Sequence, residues 1–476
     1  MKNIRLYILL LAVFFCVIQN KTIAQTNVSG GIYSNTTWTL ANSPYIVVDT
    51  VVVFPGVTLT IQPGVVVKFE NDKLLEIRQA QLIAVGTFND SITFTSNSLT
   101  PMSGSWAGVS IIGGTLQSDF NYSNFRYSSG GLSNSSDTLK VKNSCFVNNN
   151  WGLNGFHLYV DSCSFTNNTA IGLGVSWGGS VSNSYFANNN SAINGFSSGY
   201  TSFLGHTYIN NCVFKHNQVG IVNVSYGVIE NCNLTNNQFG LMDNNHFLDL
   251  ANGASRIKNC VVDSNIVMGL CLGYGDSILN CQIKYNGVGL SDSVVSATGS
   301  GGNFISGNEI ENNGIGIKLW ATNYVTCNKI CNNTYYDLHY NYSTNITALN
   351  NYWCNTDSAS IATKIYDGYD NINVGLLSFV PFDTSQCYLA VGAMEKEFTK
   401  ISWAVFPNPV VSEFTIAFSE TQSGTIKVID LLGKLLYCRK FNGFKTSINV
   451  ADLPQGLYVV EVTTPVGIAK QKFIKH

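Results

Sequence analysis

Residues 212–221 read Cys212-Val213-Phe214-Lys215-His216-Asn217-Gln218-Val219-Gly220-Ile221, and residues 232–241 read Cys232-Asn233-Leu234-Thr235-Asn236-Asn237-Gln238-Phe239-Gly240-Leu241. The second stretch restates the first. Each has an anchor Cys, an apolar residue two positions on, Asn at five, Gly at eight and Leu or Ile at nine. Working outward, the same pattern aligns on Cys145, Cys163, Ser184, Cys212, Cys232, Cys260, Cys281, Asn308 and Asn328. The apolar position holds Val147, Phe165, Phe186, Phe214, Leu234, Val262, Ile283, Ile310 and Ile330. The Asn position holds Asn150, Asn168, Asn189, Asn217, Asn237, Asn265, Asn286, Asn313 and Asn333. Two copies depart at the Gly position, with Ala192-Ile193 and Asp337-Leu338.

The pattern dictates short strands. The anchor and the residue two positions on share one strand face, so both point into a core. The constant Asn suits a turn, because it tolerates left-handed backbone angles and stacked copies can bond along a ladder. Gly permits the next bend, and Leu or Ile opens a second inward strand. One repeat is too short to bury a core alone, so each must stack on its neighbours. Helical repeats are excluded because no period near 3.6 runs within the unit, and leucine-rich repeats because the required Leu residues are missing. The pattern resembles the right-handed parallel β-helix family over about residues 45–385. Phe54-Pro55-Gly56-Val57-Thr58-Leu59-Thr60-Ile61 and Pro63-Gly64-Val65-Val66-Val67 look like opening coils. Asn350-Asn351-Tyr352-Trp353-Cys354 looks like the last regular coil. The expected class is all-β: a right-handed parallel β-helix (solenoid) followed by a small Ig-like β-sandwich.

The ends of the chain fix its route. Lys2 and Arg5 precede the apolar run Leu6 to Ile18, and Thr22-Ile23-Ala24 supplies a small-residue cleavage pattern, predicting cutting between Ala24 and Gln25. Cys16 lies inside the apolar run, outside any lipobox context. The boundaries expected are a signal peptide over 1–24, the β-helix with its N-terminal cap over 25–387, a linker over 388–402 and a terminal domain over 403–476. In that last domain Glu413 to Phe418, Thr425 to Asp430 and Leu457 to Thr463 read as separate strands of a small sandwich. Its motifs are Phe406-Pro407-Asn408-Pro409, Asp430-Leu431-Leu432-Gly433-Lys434, Leu453-Pro454-Gln455-Gly456-Leu457-Tyr458 and Lys470-Gln471-Lys472-Phe473-Ile474-Lys475. In that order they resemble the type A C-terminal sorting domain of the Bacteroidetes-type type IX secretion system, though Phe406 stands where the family more often has Tyr. The resemblance implies type IX machinery as a partner and residence outside the cell or on its outer surface. It singles out Pro407, Asn408, Pro409, Gly433, Gly456, Tyr458, Lys472 and Lys475.

Charged residues are 11% of the chain and the net charge is −2, which leaves no footprint for nucleic acid. After Ile18 no segment is long and apolar enough to span a bilayer, so no transmembrane segment is expected in the mature chain. Twelve Cys remain after the leader. Six take the anchor position, where Ser and Asn also occur, which reads as a buried thiol ladder. Cys354 and Cys387 are the better disulfide candidates. No Cys-x-x-Cys is matched by a second pair or by His, and no metal or cofactor is expected.

Catalytic motifs are missing. Asn355-Thr356-Asp357 and Arg256-Ile257-Lys258 match two short motifs of pectin hydrolases by letter, but in reversed order, and no adjacent Asp pair or Gly-His-Gly accompanies them. Lys215, Lys258, Lys284 and Lys329 lie near anchors, Lys215 and Lys284 pointing outward with Asp263 in the same phase. Asp243 and Asp249 fall in a loop, and His216 reads as a surface residue. The connections from the Leu or Ile to the next anchor are more telling. Most use 10 or 11 residues, but Ile193 to Cys212, Leu241 to Cys260 and Leu290 to Asn308 use 19, 19 and 18. These insertions fall in alternate repeats and in one sector, and loops are where binding usually resides. Their candidate ligand-binding residues are Phe196, Tyr200, His206, Asn244, His246 and Asp249. The reading is a non-catalytic surface protein binding an extended polysaccharide. A lyase or epimerase with a dispersed site and an adhesive spacer remain open.

Overall fold

In the computed structural model the chain divides into two units, Met1–Leu389 and Ala390–His476. The structure describes residues 25–113, 117–135, 138–196, 207–224, 227–243, 254–292, 301–385, 387, 403–430, 435–464 and 467–476.

The first unit is a parallel β-helix. One coil carries three strands, Val213–Lys215, Val219–Val222 and Val228–Glu230. Each pairs in parallel with its counterpart in the next coil, Asn233–Thr235, Phe239–Met242 and Arg256–Lys258. Repeated along the axis, this gives three sheets, called here the first, second and third in that order. The first sheet stacks Phe94, Phe125, Phe146, Phe165, Phe186 and Phe214 inward, ring on ring, at 4.7–5.0 Å between centroids. Leu234, Val262, Ile283, Ile310 and Ile330 continue the same row, all fully buried. Each such side chain contributes roughly 1.5–3 kcal/mol through burial, and the row has neighbours only one coil above and below.

The structure corrects the first copy of the repeat by one residue. Phe146 pairs with Phe165 and Cys145 with Ser164, so the anchor there is Ser144 and the inward residue is Phe146, not Val147. The ladder residue is Asn149, not Asn150: its backbone N–H and Nδ2 both donate to Asn168 Oδ1, at 3.1 and 3.2 Å. Cys145 therefore faces outward, and five cysteines, not six, share the anchor row: Cys163, Cys212, Cys232, Cys260 and Cys281.

The role of Asn also differs. The constant Asn is buried, and the left-handed angle falls on the residue before it, as at His216 (φ 57°), Asn236 (56°), Ser264 (57°) and Tyr285 (56°). A second left-handed position precedes each anchor and is where Asn serves conformation: Asn183, Asn211, Asn231, Asn259 and Asn280. The constant Asn instead satisfies backbone. Asn237 donates from Nδ2 to Phe214 O at 3.1 Å and to Asn265 Oδ1 at 3.1 Å, and its own Oδ1 accepts from Asn217. Gly at the bend is required by close approach: a Cβ on Gly220 or Gly240 would lie 2.4 Å from the carbonyl oxygen of the next coil's glycine.

The anchor thiols are free and buried, donating weakly to backbone carbonyls, as Cys212 does to Asn210 O at 3.4 Å. Burial pushes the Cys163 and Cys281 thiols well above the usual range. The expected Cys354–Cys387 pair is corrected: Cys331 bonds Cys354 and Cys327 bonds Cys387. Tyr352 pairs with Lys329, so Cys354 stands one coil beyond Cys331 in the same row, 5.8 Å away by Cα. Cys327 occupies the left-handed corner, 5.1 Å by Cα from Cys387. Asn351 extends the anchor row beyond Asn328, as expected of the last regular coil.

The second unit is antiparallel. The strands expected at 413–418 and 425–430 are one long strand, Glu413–Ile429, paired along both halves with Leu435–Asn449 and shifting register between Ala417 and Gln422. Its first half pairs with Trp403–Phe406 and its second with Gly456–Thr464, which pairs in turn with Gly467–Lys475. The two halves pack Phe414 and Ile416 with Ile426, Val460 and Phe473 in one core, the two-layer arrangement of a sandwich.

Candidate ligand-binding face

The three insertions take the same route. They leave second-sheet strands Ser191–Phe196, Phe239–Met242 and Val288–Ser291, and re-enter third-sheet strands Thr207–Asn210, Arg256–Lys258 and Phe304–Ser306. Tyr200, His206, Asn244, His246 and Asp249 lie outside the described residues, as does the side chain of Phe196, whose backbone ends its strand.

What the insertions join is described. Third-sheet register places Lys140, Tyr159, Ser180, Tyr208, Val228, Arg256, Ser277, Phe304 and Tyr324 in one outward row. Tyr159, Tyr208, Phe304 and Tyr324 are 48, 51, 40 and 67% exposed, so four aromatic rings line one edge of the solenoid. The strand period makes this row outward, since Val160, Ile209, Ile305 and Val325 alternate with it and are buried.

At the roots of two insertions stand acids that sequence spacing placed in no common site. Asp243, expected in a loop, is buried at the inner corner between the second and third sheets, as are Asp276 and Asp292. Asp292 accepts from the backbone N–H groups of Trp320 and Ala321, at 2.7 and 3.0 Å, and from Asn323 Nδ2 at 2.8 Å. Asp276 accepts from the N–H groups of Ser255 and Gly273, both at 2.7 Å. Burial holds the Asp292 carboxyl up at about 6, and burial together with the charge of Asp243 raises Asp276. Burial and backbone donors give Asp276 and Asp292 the work of turning the chain.

Two of the four lysines near the anchors, Lys284 and Lys329, are likewise engaged. Lys284 meets Glu309 and Glu311 at 2.7 and 2.9 Å, and Lys329 meets the same pair at 3.0 and 2.7 Å, a closed quartet on the first sheet. Arg256 pairs with Glu230 at 2.9 Å, and Asp357 caps the short helix Ser358–Ala362 through the N–H groups of Ala359 and Ser360. His216 is exposed. Among the described residues, no group of three or more His, Cys, Asp or Glu is arranged to hold a metal ion.

In the second unit the separated motifs meet on the last strand. Asn408 Nδ2 donates to Lys472 O at 3.2 Å, and Asn408 Oδ1 accepts from the Ile474 N–H at 2.9 Å. The Tyr458 hydroxyl donates to Pro454 O at 2.8 Å, and its ring stacks on Phe473. Lys475 is buried, with Nζ bonded to His476 O. Pro407, Pro409 and Gly456 stand in the same described segments, while Gly433 lies outside the described residues. Residues 404–476 match the family described as the secretion system C-terminal sorting domain. The chain ends in a sorting domain. It is exported by the type IX route to the cell surface or beyond. Of the expected cleavage pair, Ala24 lies outside the described residues and Gln25 is the first described residue.

Residues 30–136 match the pectate-lyase like beta helix domain. Among solved structures, the chain is similar to the periplasmic alginate epimerase AlgG at 12% identity and a TM-score of 0.27, covering 68% of this chain and 77% of that one. The T265N mutant of that epimerase aligns at 12% identity and a TM-score of 0.26, over 70 and 77%. At these scores the likeness says nothing of activity. No curated protein matches the chain. Among the described residues no helix is long and apolar enough to cross a membrane.

Proposed function

We propose that the β-helix of this exported protein binds an extended polysaccharide without turning it over. The observation that carries the reading is the third-sheet row of Tyr159, Tyr208, Phe304 and Tyr324, in which Tyr208 and Phe304 stand on strands that two of the insertions enter. Rigid aromatic side chains offer a flat apolar face beside a polar edge, at low entropic cost to a ligand that lies along them. Rungs are ~4.8 Å apart, so Tyr159 and Tyr208, two rungs apart, are separated by ~9.6 Å, close to a disaccharide repeat in an extended chain. Binding without catalysis is supported by the saturated state of Asp276, Asp292, Lys284 and Lys329.

The test is incubation of the mature protein with a panel of acidic and neutral polysaccharides. Retention without new reducing ends, unsaturated ends or altered uronate configuration supports the reading. Appearance of any of those products replaces it with a hydrolase, lyase or epimerase, and no retention at all leaves the spacer. Shortening the three insertions, or replacing Tyr159 and Tyr208 together by Ser, is expected to abolish retention.

A further inference from the structure

The second sheet carries, on its outer face near the C-terminal end, a cluster that neither the repeat nor the export domain uses. Register places Lys318, His339 and Tyr366 on successive rungs. Leu319 and Tyr340 are buried between their neighbours, so the strand period turns Lys318, Trp320, His339 and Asn341 outward together. Lys318 Nζ sits 5.3 Å from the centroid of the Trp320 ring, and among the described residues it makes no salt bridge. The His339 ring packs edge-on against Tyr366 at 4.3 Å and at a tilt against Tyr336 at 5.2 Å. His339 Nδ1 and Asn341 Nδ2 are shut off from solvent and have no hydrogen-bond partner.

We propose that this cluster is an anion-recognition subsite, taking a carboxylate or sulfate group borne on a sugar ring. It rests on the polysaccharide reading and adds the charge of the ligand. Lys318 offers the solvent-facing donor and Trp320 a ring face for the sugar, while Asn341 Nδ2 and His339 Nδ1 lie behind them out of reach of solvent. A donor set with an unpaired cation suits an oxyanion better than a neutral hydroxyl. Asp370, the acid whose charge is felt at His339, already accepts from the Asp367 N–H at 3.1 Å. Native proteins rarely leave buried polar atoms unpaired, and a ligand or ordered water is the usual partner. Burial, then the charge of Lys318, lowers the imidazole to about 4 against the smaller opposing pull of Asn341 and Asp370, so the site carries one positive charge at neutral pH.

The experiment titrates the full chain with trigalacturonate, a sulfated chondroitin oligosaccharide, cellohexaose and inorganic sulfate, by calorimetry and Trp fluorescence. The expected result is binding of both acidic saccharides, weakened about ten-fold or more in Lys318→Gln, as for loss of one charge-assisted hydrogen bond, and restored in Lys318→Arg. His339→Gln, tested at pH 7 where the native imidazole is neutral, provides a second variant and is expected to weaken both acidic saccharides. Binding of cellohexaose alone, or equal binding of the acidic saccharides by Lys318→Gln, overturns the subsite and leaves the polysaccharide reading standing. Binding of sulfate that Lys318→Gln loses, with no saccharide bound, supports the anion site and removes the polysaccharide reading. If no anion binds, the subsite is overturned.

Discussion

Asn333 Nδ2 donates at 2.8 Å to Asp337 Oδ1, four residues away in its own coil, whereas every preceding ladder Asn from Asn149 donates to the Asn of the next coil. Asp337 stands where the other copies carry Gly or Ala. Its carboxyl replaces the Oδ1 that a further coil would have supplied. The departure from the repeat at Asp337 is therefore the device that ends the ladder.

Asp337→Ala strips Asn333 of that acceptor while both Asn333 donors stay buried. The expected loss is about 1–3 kcal/mol of unfolding free energy, with a much smaller loss in Asp337→Asn, both read from urea denaturation.

Asn237→Ala in mid-ladder removes the acceptor of Asn217 and the donor to Phe214 O and Asn265 together. A loss of about 3 kcal/mol or more is expected from several buried groups left unpaired. Gly240→Ala should also destabilise, because its Cβ would meet the Gly269 carbonyl oxygen at 2.4 Å. A melting temperature within experimental error of wild type for either variant would contradict the stacking described.

Asp292 is held at about 6 by burial, above its ordinary value of 3.8. A carboxyl raised in the folded state favours folding while protonated, so its contribution is complete below pH 3.8 and is lost as the pH rises through about 6. His339, lowered to about 4 from 6.5, acts oppositely: its contribution is complete above 6.5 and lost as the pH falls toward 4. Melting temperatures at pH 4 and 7 should thus respond to Asp292→Asn and His339→Gln in opposite directions. Identical pH profiles in the two variants would refute the assignment.

Thiol titration reports the cysteine ladder. Unfolded without reductant, a chain beginning at Gln25 and keeping its C-terminal domain should show eight reactive thiols, since Cys327, Cys331, Cys354 and Cys387 are paired. Folded, the five buried anchor cysteines and the buried Cys271 should be silent, leaving only the half-buried Cys145 and Cys438 to react slowly. Fewer thiols on unfolding would mean that ladder cysteines had paired across coils.

Asn408→Ala would cut both bonds that join the first sorting motif to the last strand. Export should fall, with the protein accumulating in the periplasm, as read by fractionation. Unaltered surface display would separate recognition from this contact.

Much was legible because the decisive interactions repeat at short sequence spacing. The alternation around Phe214 and Leu234, the Asn at 217 and 237, and the Gly at 220 and 240 each report a local rule of strands and turns. The order of Phe406 to Pro409, Leu453 to Tyr458 and Lys470 to Lys475 likewise identified the export domain before the contact of Asn408 with Ile474 was seen. The binding face was less legible. The insertions declared their sector by length alone, but Tyr159, Tyr208, Phe304 and Tyr324 fall in one row only when coils of unequal length are stacked in register.

The sequence by itself determined that the chain coils in parallel strands, which residues face inward in eight of the nine repeats, and that it leaves the cell. Those properties follow from periodicity within a repeat and from motifs at the chain's end. Tertiary structure decided the rest: that Asn149 and not Asn150 joins the ladder, that Cys354 meets Cys331, that Asp243, Asp276 and Asp292 share one corner, and that Lys318 stands beside His339. Each of these relations links residues a coil or more apart. Hydrogen bonding between coils sets that register, and insertions of any length leave it unchanged.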